Sequence, residues 1–252
     1  MKKAVLFLIF SLLISIVLFG QNKLIMDAGD LPPHTSPVLD GHGMLAKILS
    51  ESLKDKGWSI EYNFYPVARL IQMMSNGNIR GTFTAEAAID KNDFYYVPLQ
   101  INRLIFFYMK DKFPHGLSFT TLSDLSEYVV GTVRGTPSEA VLTAAGISIE
   151  SAVDEVQNFK KLQSGRIDLV STVDVFGLYQ IKENGFNIDD FGMTNSYDES
   201  VSIFAILNSD PIAAKVIGDI NDGFKAAKRN GRLLEILEGY LGKGNVPDYL
   251  IP

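Results

Sequence analysis

The 252 residues include no cysteine. That excludes disulfides, thiol nucleophiles and thiolate metal sites, and it removes the residue on which a lipid anchor would be built. Histidine is scarce: His34, His42 and His115 are the whole supply. His34 and His42 flank Asp40, the one spacing that suggests a metal-binding loop, and the set is thin. Basic charge is in deficit, with 23 Lys and Arg against 29 Asp and Glu. That balance argues against nucleic acid or an anionic membrane surface as partner. Catalytic signatures are missing as well. There is no Gly-x-Ser-x-Gly elbow, no His-Glu-x-x-His, no Gly-x-Gly-x-x-Gly and no phosphate loop. No cofactor or metal is expected.

What is present begins with Lys2 and Lys3 ahead of an apolar run from Ala4 to Phe19, interrupted only by Ser11 and Ser15. This is the layout of a secretory signal peptide, so residues 1–20 are expected to be a leader cleaved after Gly20. Leu18 is bulky where a small residue is preferred, which keeps a retained anchor as the alternative. No later segment is long and apolar enough to span a membrane. Taking the two leader lysines from the 23 basic side chains leaves 21 against 29 acidic ones. The remaining chain has enough length for one large domain or two small ones with real cores. A soluble periplasmic monomer is the expectation.

Strand and helix signals alternate along the rest. Strands are expected at 23–28, 58–64, 81–84, 104–109, 129–133, 152–156, 167–172 and 201–207, from apolar alternation or short apolar runs. Helices are expected over 44–53, 68–74, 137–145, 159–163, 175–184, about 211–230 and 233–241, several closed by a glycine. Two successive α/β units imply two lobes. No Gly/Pro/Ser linker separates them, so the crossings are placed in strands, near 107–110 and 201–208. The expected division is 21–107 plus 206–252 for the first lobe and 108–205 for the second.

One stretch stands out. Thr121-Leu122-Ser123-Asp124-Leu125 leads to Tyr128-Val129-Val130-Gly131-Thr132-Val133 and then to Arg134-Gly135-Thr136-Pro137-Ser138-Glu139. Thr136 suits an N-cap, Pro137 the first helical position, and Glu139 the far corner of a capping box. The free amides and dipole of such a helix end attract anions. Thr136 also has the plainer role of a cap.

Taken in order, several blocks resemble the type II periplasmic solute-binding proteins, in particular the family-3, amino-acid-type branch. They are Asp27 to Pro33, Gly43 to Ile48, Tyr65-Pro66-Val67-Ala68-Arg69, Ser75 to Gly81, Pro98 to Phe107, Leu122 to Pro137, Leu162 to Asp168, and Asp210 to Leu241. The resemblance implies an α/β, two-lobed periplasmic-binding-protein-like fold with two hinge crossovers and a ligand cleft between the lobes. It also implies a binding protein rather than an enzyme, working with an inner-membrane ABC permease.

The resemblance fails where amino-acid binders hold their ligand. Their carboxylate-clamping Arg has no counterpart in Thr84-Ala85-Glu86-Ala87-Ala88-Ile89-Asp90, and their amine-holding Asp is displaced to Asp174 beside Val173. A standard free amino acid is therefore not the expected ligand. Candidate ligand contacts are Asp30, Leu31, His34, Tyr65, Arg69, Phe83, Thr84, Arg134, Gly135, Thr136 and Asp174. Each has an ordinary alternative: a loop residue for His34 and Arg134, a surface ion pair for Arg69, core for Phe83, a helix cap for Asp174. Arg103 beside the hinge strand can pair with an acid at the lobe boundary.

Three roles stay open. The first is capture of a small polar, anionic or zwitterionic solute for an ABC importer, with closure driven by a ligand that bridges both lobes. The second is the same closure read by a membrane signalling protein. The third is a cleft lyase or dehydratase, for which Glu86 is the acid nearest the expected pocket.

Overall fold

The computed structural model describes residues 22–252, so the expected leader lies outside the described residues. The first strand, β1 (Asn22–Gly29), buries Leu24, Met26 and Ala28 on alternate positions. It pairs in parallel with β2 (Trp58–Tyr65) on one side and β3 (Gly81–Ala85) on the other. Helix α1 (Met44–Ser52) connects β1 to β2 and buries Met44, Leu45, Ile48 and Leu49. Helix α2 (Val67–Ser75) connects β2 to β3.

The start of α1 is fixed by the turn before it. Its first amides, Met44 N and Leu45 N, donate to the carbonyls of Pro33 and His34 at 2.8 and 3.0 Å. Gly43 makes this possible: its φ is +102°, and a Cβ there would stand 2.7 Å from the His34 carbonyl oxygen. The loop carrying His34 is thus bonded to the helix it feeds.

Strand β4 runs over Phe94–Met109, sixteen residues. Its first part is antiparallel to the last long strand, β9 (Asp198–Leu207), and from Leu104 onward it is antiparallel to β7 (Leu169–Val173). Leu104 itself faces Asp198 on one side and Val173 on the other. On the β7 side follow β5 (Val129–Val133) and β6 (Ser148–Ala152), all parallel, with the short β8 (Phe191–Met193) along the end of β4. The sheet order is β2-β1-β3-β9-β4-β7-β5-β6. Helices α3 (Pro137–Ala144), α4 (Glu155–Gln163) and α5 (Asp174–Glu183) serve the second half. After β9 the chain returns: α6 (Ala213–Arg229) and α7 (Arg232–Leu241) pack on α1 and complete the first half. The fold is a curled mixed sheet in two lobes, as the sequence resemblance implies.

Four local expectations are corrected. The strand placed at 152–156 is β6, ending at Ala152. Asp154 then caps a helix, its Oδ1 accepting from Gln157 N at 2.9 Å, so α4 starts at Glu155 rather than Phe159. Strand β4 begins ten residues before the expected 104, because Pro98, Gln100 and Asn102 break its apolar run; the register shifts at Pro98/Gln100. The capping box at α3 does not form. Thr136 Oγ1 donates to its own Val133 carbonyl at 2.7 Å, and Glu139 accepts from Gly135 N at 2.6 Å instead. The three-residue β8 has no signal of its own in the sequence.

Candidate functional site

Where β4 and β9 pass between the lobes, two polar pairs sit opposite each other: Gln100 with Ser202, and Asn102 with Ser200. Gln100, Asn102 and Ser202 are buried. Asn102 Nδ2 donates to Ser202 Oγ at 2.9 Å, and Gln100 Nε2 donates to Asn102 Oδ1. The same Gln100 nitrogen lies 3.0 Å from His34 Nε2. An amide nitrogen can only donate, so His34 accepts there and its ring is neutral. Burial, opposed by a hydrogen bond to Asn102, holds the His34 pKa down at about 4. Gln100 Oε1 has no partner among the described residues.

Asn102, Ser200 and Ser202 of this strip form part of the wall of a cavity of about 320 Å³, with Gln100 behind them. Gly29, Leu31, His34 and Thr35 supply one side. Their turn is closed by Leu31 N donating to Thr35 O at 2.7 Å and Thr35 Oγ1 donating to Gly29 O at 2.7 Å. The inner face of α2 supplies Val67, Leu70, Ile71 and Met74, and the end of β3 supplies Phe83 and Thr84. From the second half come Val173 and Phe176, at the start of α5. The Phe176 ring meets the His34 ring edge-on, with centroids 4.9 Å apart. The cavity therefore has walls from both lobes.

Of the residues singled out in the sequence, Leu31, His34, Phe83 and Thr84 line this cavity together. The others stand elsewhere. Asp30 is exposed. The Arg69 guanidinium lies over the Tyr65 ring, 5.0 Å from its centroid, and neither residue lines the cavity. Arg134 and Gly135 are exposed in the turn before α3, and Thr136 is half-buried among the hydroxyls of Thr132 and Ser138. The anion-attracting turn already holds a carboxylate. Glu139 is bonded by Ser151 Oγ and Gly135 N, and both hydrogen bonds keep its pKa below the usual range.

Asp174 is fully buried at the start of α5. It accepts from Tyr249 Oη at 2.6 Å, from Val175 N at 2.7 Å and from Arg103 N at 3.3 Å. Burial pushes its carboxyl up despite these donors. Arg103 finds the acid expected of it in Glu199, Nε to Oε2 2.9 Å, and its guanidinium lies 3.6 Å from the centroid of the Tyr249 ring. The metal-loop spacing comes to nothing: His34 faces Gln100, His42 lies against Tyr62, and Asp40 pairs with Lys47. Among the described residues no three His, Cys, Asp or Glu side chains gather as a metal site.

Asn102, Ser200, Ser202 and Phe176 were not anticipated. The signal for three of them was available, since polar residues at alternate positions of an otherwise apolar strand mark a face turned to something other than core.

No protein-family profile matches this sequence, and no curated protein sequence matches it. Solved structures do match in fold. The chain is similar to a polar amino acid ABC uptake transporter substrate-binding protein from Streptococcus thermophilus at TM-score 0.70 and 18% identity, over 90% of this chain and 89% of that one. It is similar to substrate-binding domain 2 of Lactococcus lactis GlnP, in its open conformation, at TM-score 0.66 and 20% identity, over 87% and 95% of the two chains. The GluR0 ligand-binding core of Nostoc punctiforme, bound to L-glutamate, matches at TM-score 0.60 and 17% identity, over 87% and 99%. At such identities the likeness is one of fold.

Proposed function

We propose that this protein is an extracytoplasmic solute-binding protein that captures a small molecule by hinge closure and presents it to an inner-membrane ABC permease. The observation that carries this reading is the position of the cavity. It lies where two strands pass between the lobes, with Leu31, Phe83 and α2 on one side and Val173 and Phe176 on the other. A molecule touching both sides has more contacts in a closed state than in an open one, and that difference drives closure. In this reading the hinge falls near Leu104 and Asp198, where β4 changes partners, a few residues before the crossings expected at 107–110 and 201–208. A periplasmic location and a cleaved leader over residues 1–20 belong to the same reading. No helix among the described residues is long and apolar enough to cross a membrane.

A lyase reading built on Glu86 finds less support. Its carboxylate pairs with Lys91 and accepts from Tyr96 at 3.2 Å; the Lys91 hydrogen bond keeps it ionised, and it does not line the cavity. A general acid needs the opposite tuning.

The test is a thermal-shift screen against amino acids, small peptides, dicarboxylates, polyamines and sugar acids, followed by small-angle scattering on any hit. A ligand at about 100 times its dissociation constant adds roughly 2.7 kcal/mol, or some 5 to 10 °C for a chain this size. A hit that leaves the radius of gyration unchanged would contradict hinge closure.

A further inference from the structure

We infer that the cavity takes an uncharged solute: an apolar body with one compact hydrogen-bonding end, such as an amide, carbonyl or hydroxyl group. This rests on the solute-binding reading and replaces the anionic or zwitterionic ligand that the sequence suggested. No Arg, Lys, Asp or Glu is among the residues lining the cavity. Its titratable member, His34, is neutral and already accepts from Gln100. An ionised carboxylate or ammonium drawn from water into such a wall has no opposite charge to meet, and an unpaired buried charge is heavily penalised.

Several charges near the cleft are engaged elsewhere. Asp174 is closed off by Tyr249 and two backbone amides. Arg103 is held by Glu199 and the Tyr249 ring. Glu139 fills the turn before α3, and Glu155 is bonded by Thr172 Oγ1, with burial pushing its carboxyl up. Arg69 lies on Tyr65.

What the cavity does offer is apolar. Leu31, Val67 and Ile71 line it while remaining 43%, 41% and 58% exposed, and Leu70, Met74 and Phe83 continue the same surface inward. Large apolar side chains left in water around a recess mark a binding surface rather than a core. The polar end meets the strip of Asn102, Ser200 and Ser202 beside His34, with the Thr84 hydroxyl at the end of β3 as a further partner. These groups donate and accept without carrying charge.

The experiment uses four compounds with one apolar body whose polar ends differ in charge: 4-methylpentanamide (uncharged), the nearly isosteric 4-methylpentanamidine (cationic) and 4-methylpentanoate (anionic), and leucine (zwitterionic). The same quartet is built on alanine and on phenylalanine to vary the body. Calorimetry gives dissociation constants and small-angle scattering gives compaction. The uncharged member is expected to bind at least about tenfold tighter than its charged counterparts in the quartet that fits best. Ile71→Ser is expected to weaken that binding, while Arg69→Ala leaves it unchanged; both positions are exposed on α2, so neither threatens folding. Tightest binding by a charged member, or no binding by any uncharged member, overturns the inference. Compaction with a charged member leaves the solute-binding reading intact. Uncharged binding without compaction supports the charge preference and counts against hinge closure.

Discussion

Tyr249 Oη donates to the Asp174 carboxylate at 2.6 Å, joining the C-terminal tail to the first turn of α5. The same tail is tied to β4 by Ile101 N donating to Leu250 O at 2.9 Å. A buried acid is thus held by a residue remote in sequence, at the place where the lobes meet. The folded-state pKa of Asp174 is raised, by burial first and against the pull of its donors. A raised carboxyl contributes stability fully at pH below its unfolded value and loses it as pH rises through the folded value. Asp174→Asn should therefore be more stable than the parent at pH 7, with the gap closing as pH falls toward 4. Melting temperatures of the two proteins across that range check this, and a constant gap would contradict it.

His34 works in the other direction. Its unfolded imidazole takes a proton below about pH 6.5, whereas the folded ring waits until about 4. Acid therefore favours the unfolded chain, and stability should fall between pH 6.5 and 4 by roughly 3 kcal/mol through this group. His34→Gln should flatten that part of the profile. Denaturant titrations at pH 7, 5.5 and 4.5 would show it; parallel profiles for the two proteins would mean that another group sets the slope.

Arg103 and Glu199 form a half-exposed ion pair, and such pairs contribute little. The stack of Arg103 on Tyr249 is closer and less wet. Glu199→Gln should cost about 0.5 kcal/mol or less, and Arg103→Ala about 1 to 2 kcal/mol, through the lost stack and side-chain packing. Equal costs in chemical denaturation would show that the ion pair, not the stack, holds the tail.

Gly223 and Gly218 lie in the same helix, α6, with opposite surroundings. A Cβ at Gly223 would stand 1.7 Å from the backbone oxygen of Ser52 in α1, whereas one at Gly218 meets nothing within 4 Å. Gly223→Ala should lose about 3 kcal/mol or more as the two helices are forced apart. Gly218→Ala should gain about 0.5 to 1 kcal/mol from helix propensity. If both variants melt above the parent, the close approach of α6 to α1 is wrong.

Much of this architecture was legible before any coordinates. The apolar spacing of Met44, Leu45, Ile48 and Leu49 and the run Val129 to Val133 place α1 and β5 directly, because burial there follows one simple period. Other elements were obscured by residues that answer to distant partners. Gln100 and Asn102 interrupt the apolar pattern that marks a strand, yet they sit in the middle of one, with Ser202 and Ser200 facing them from β9. Asp154 looks unremarkable until its side chain is seen holding Gln157 N. At the site, Leu31, His34, Phe83 and Thr84 come together, whereas Arg134 and Thr136 stand apart in the turn before α3. Nothing in the sequence singles out the α2 face, since an apolar stripe turned toward a ligand has the same period as one turned toward a sheet.

The position of β9 has a consequence for how the chain is made. It is the last strand in the sequence, yet it lies between β3 and β4. Helices α6 and α7, which cover α1, come later still. A nascent chain that has not passed Asp198 therefore carries a naked edge on β3, an unpaired front half of β4 and an uncovered α1. Strands β1 and β3 and helix α1, though synthesised before β5 to β7, are thus among the last elements to be covered.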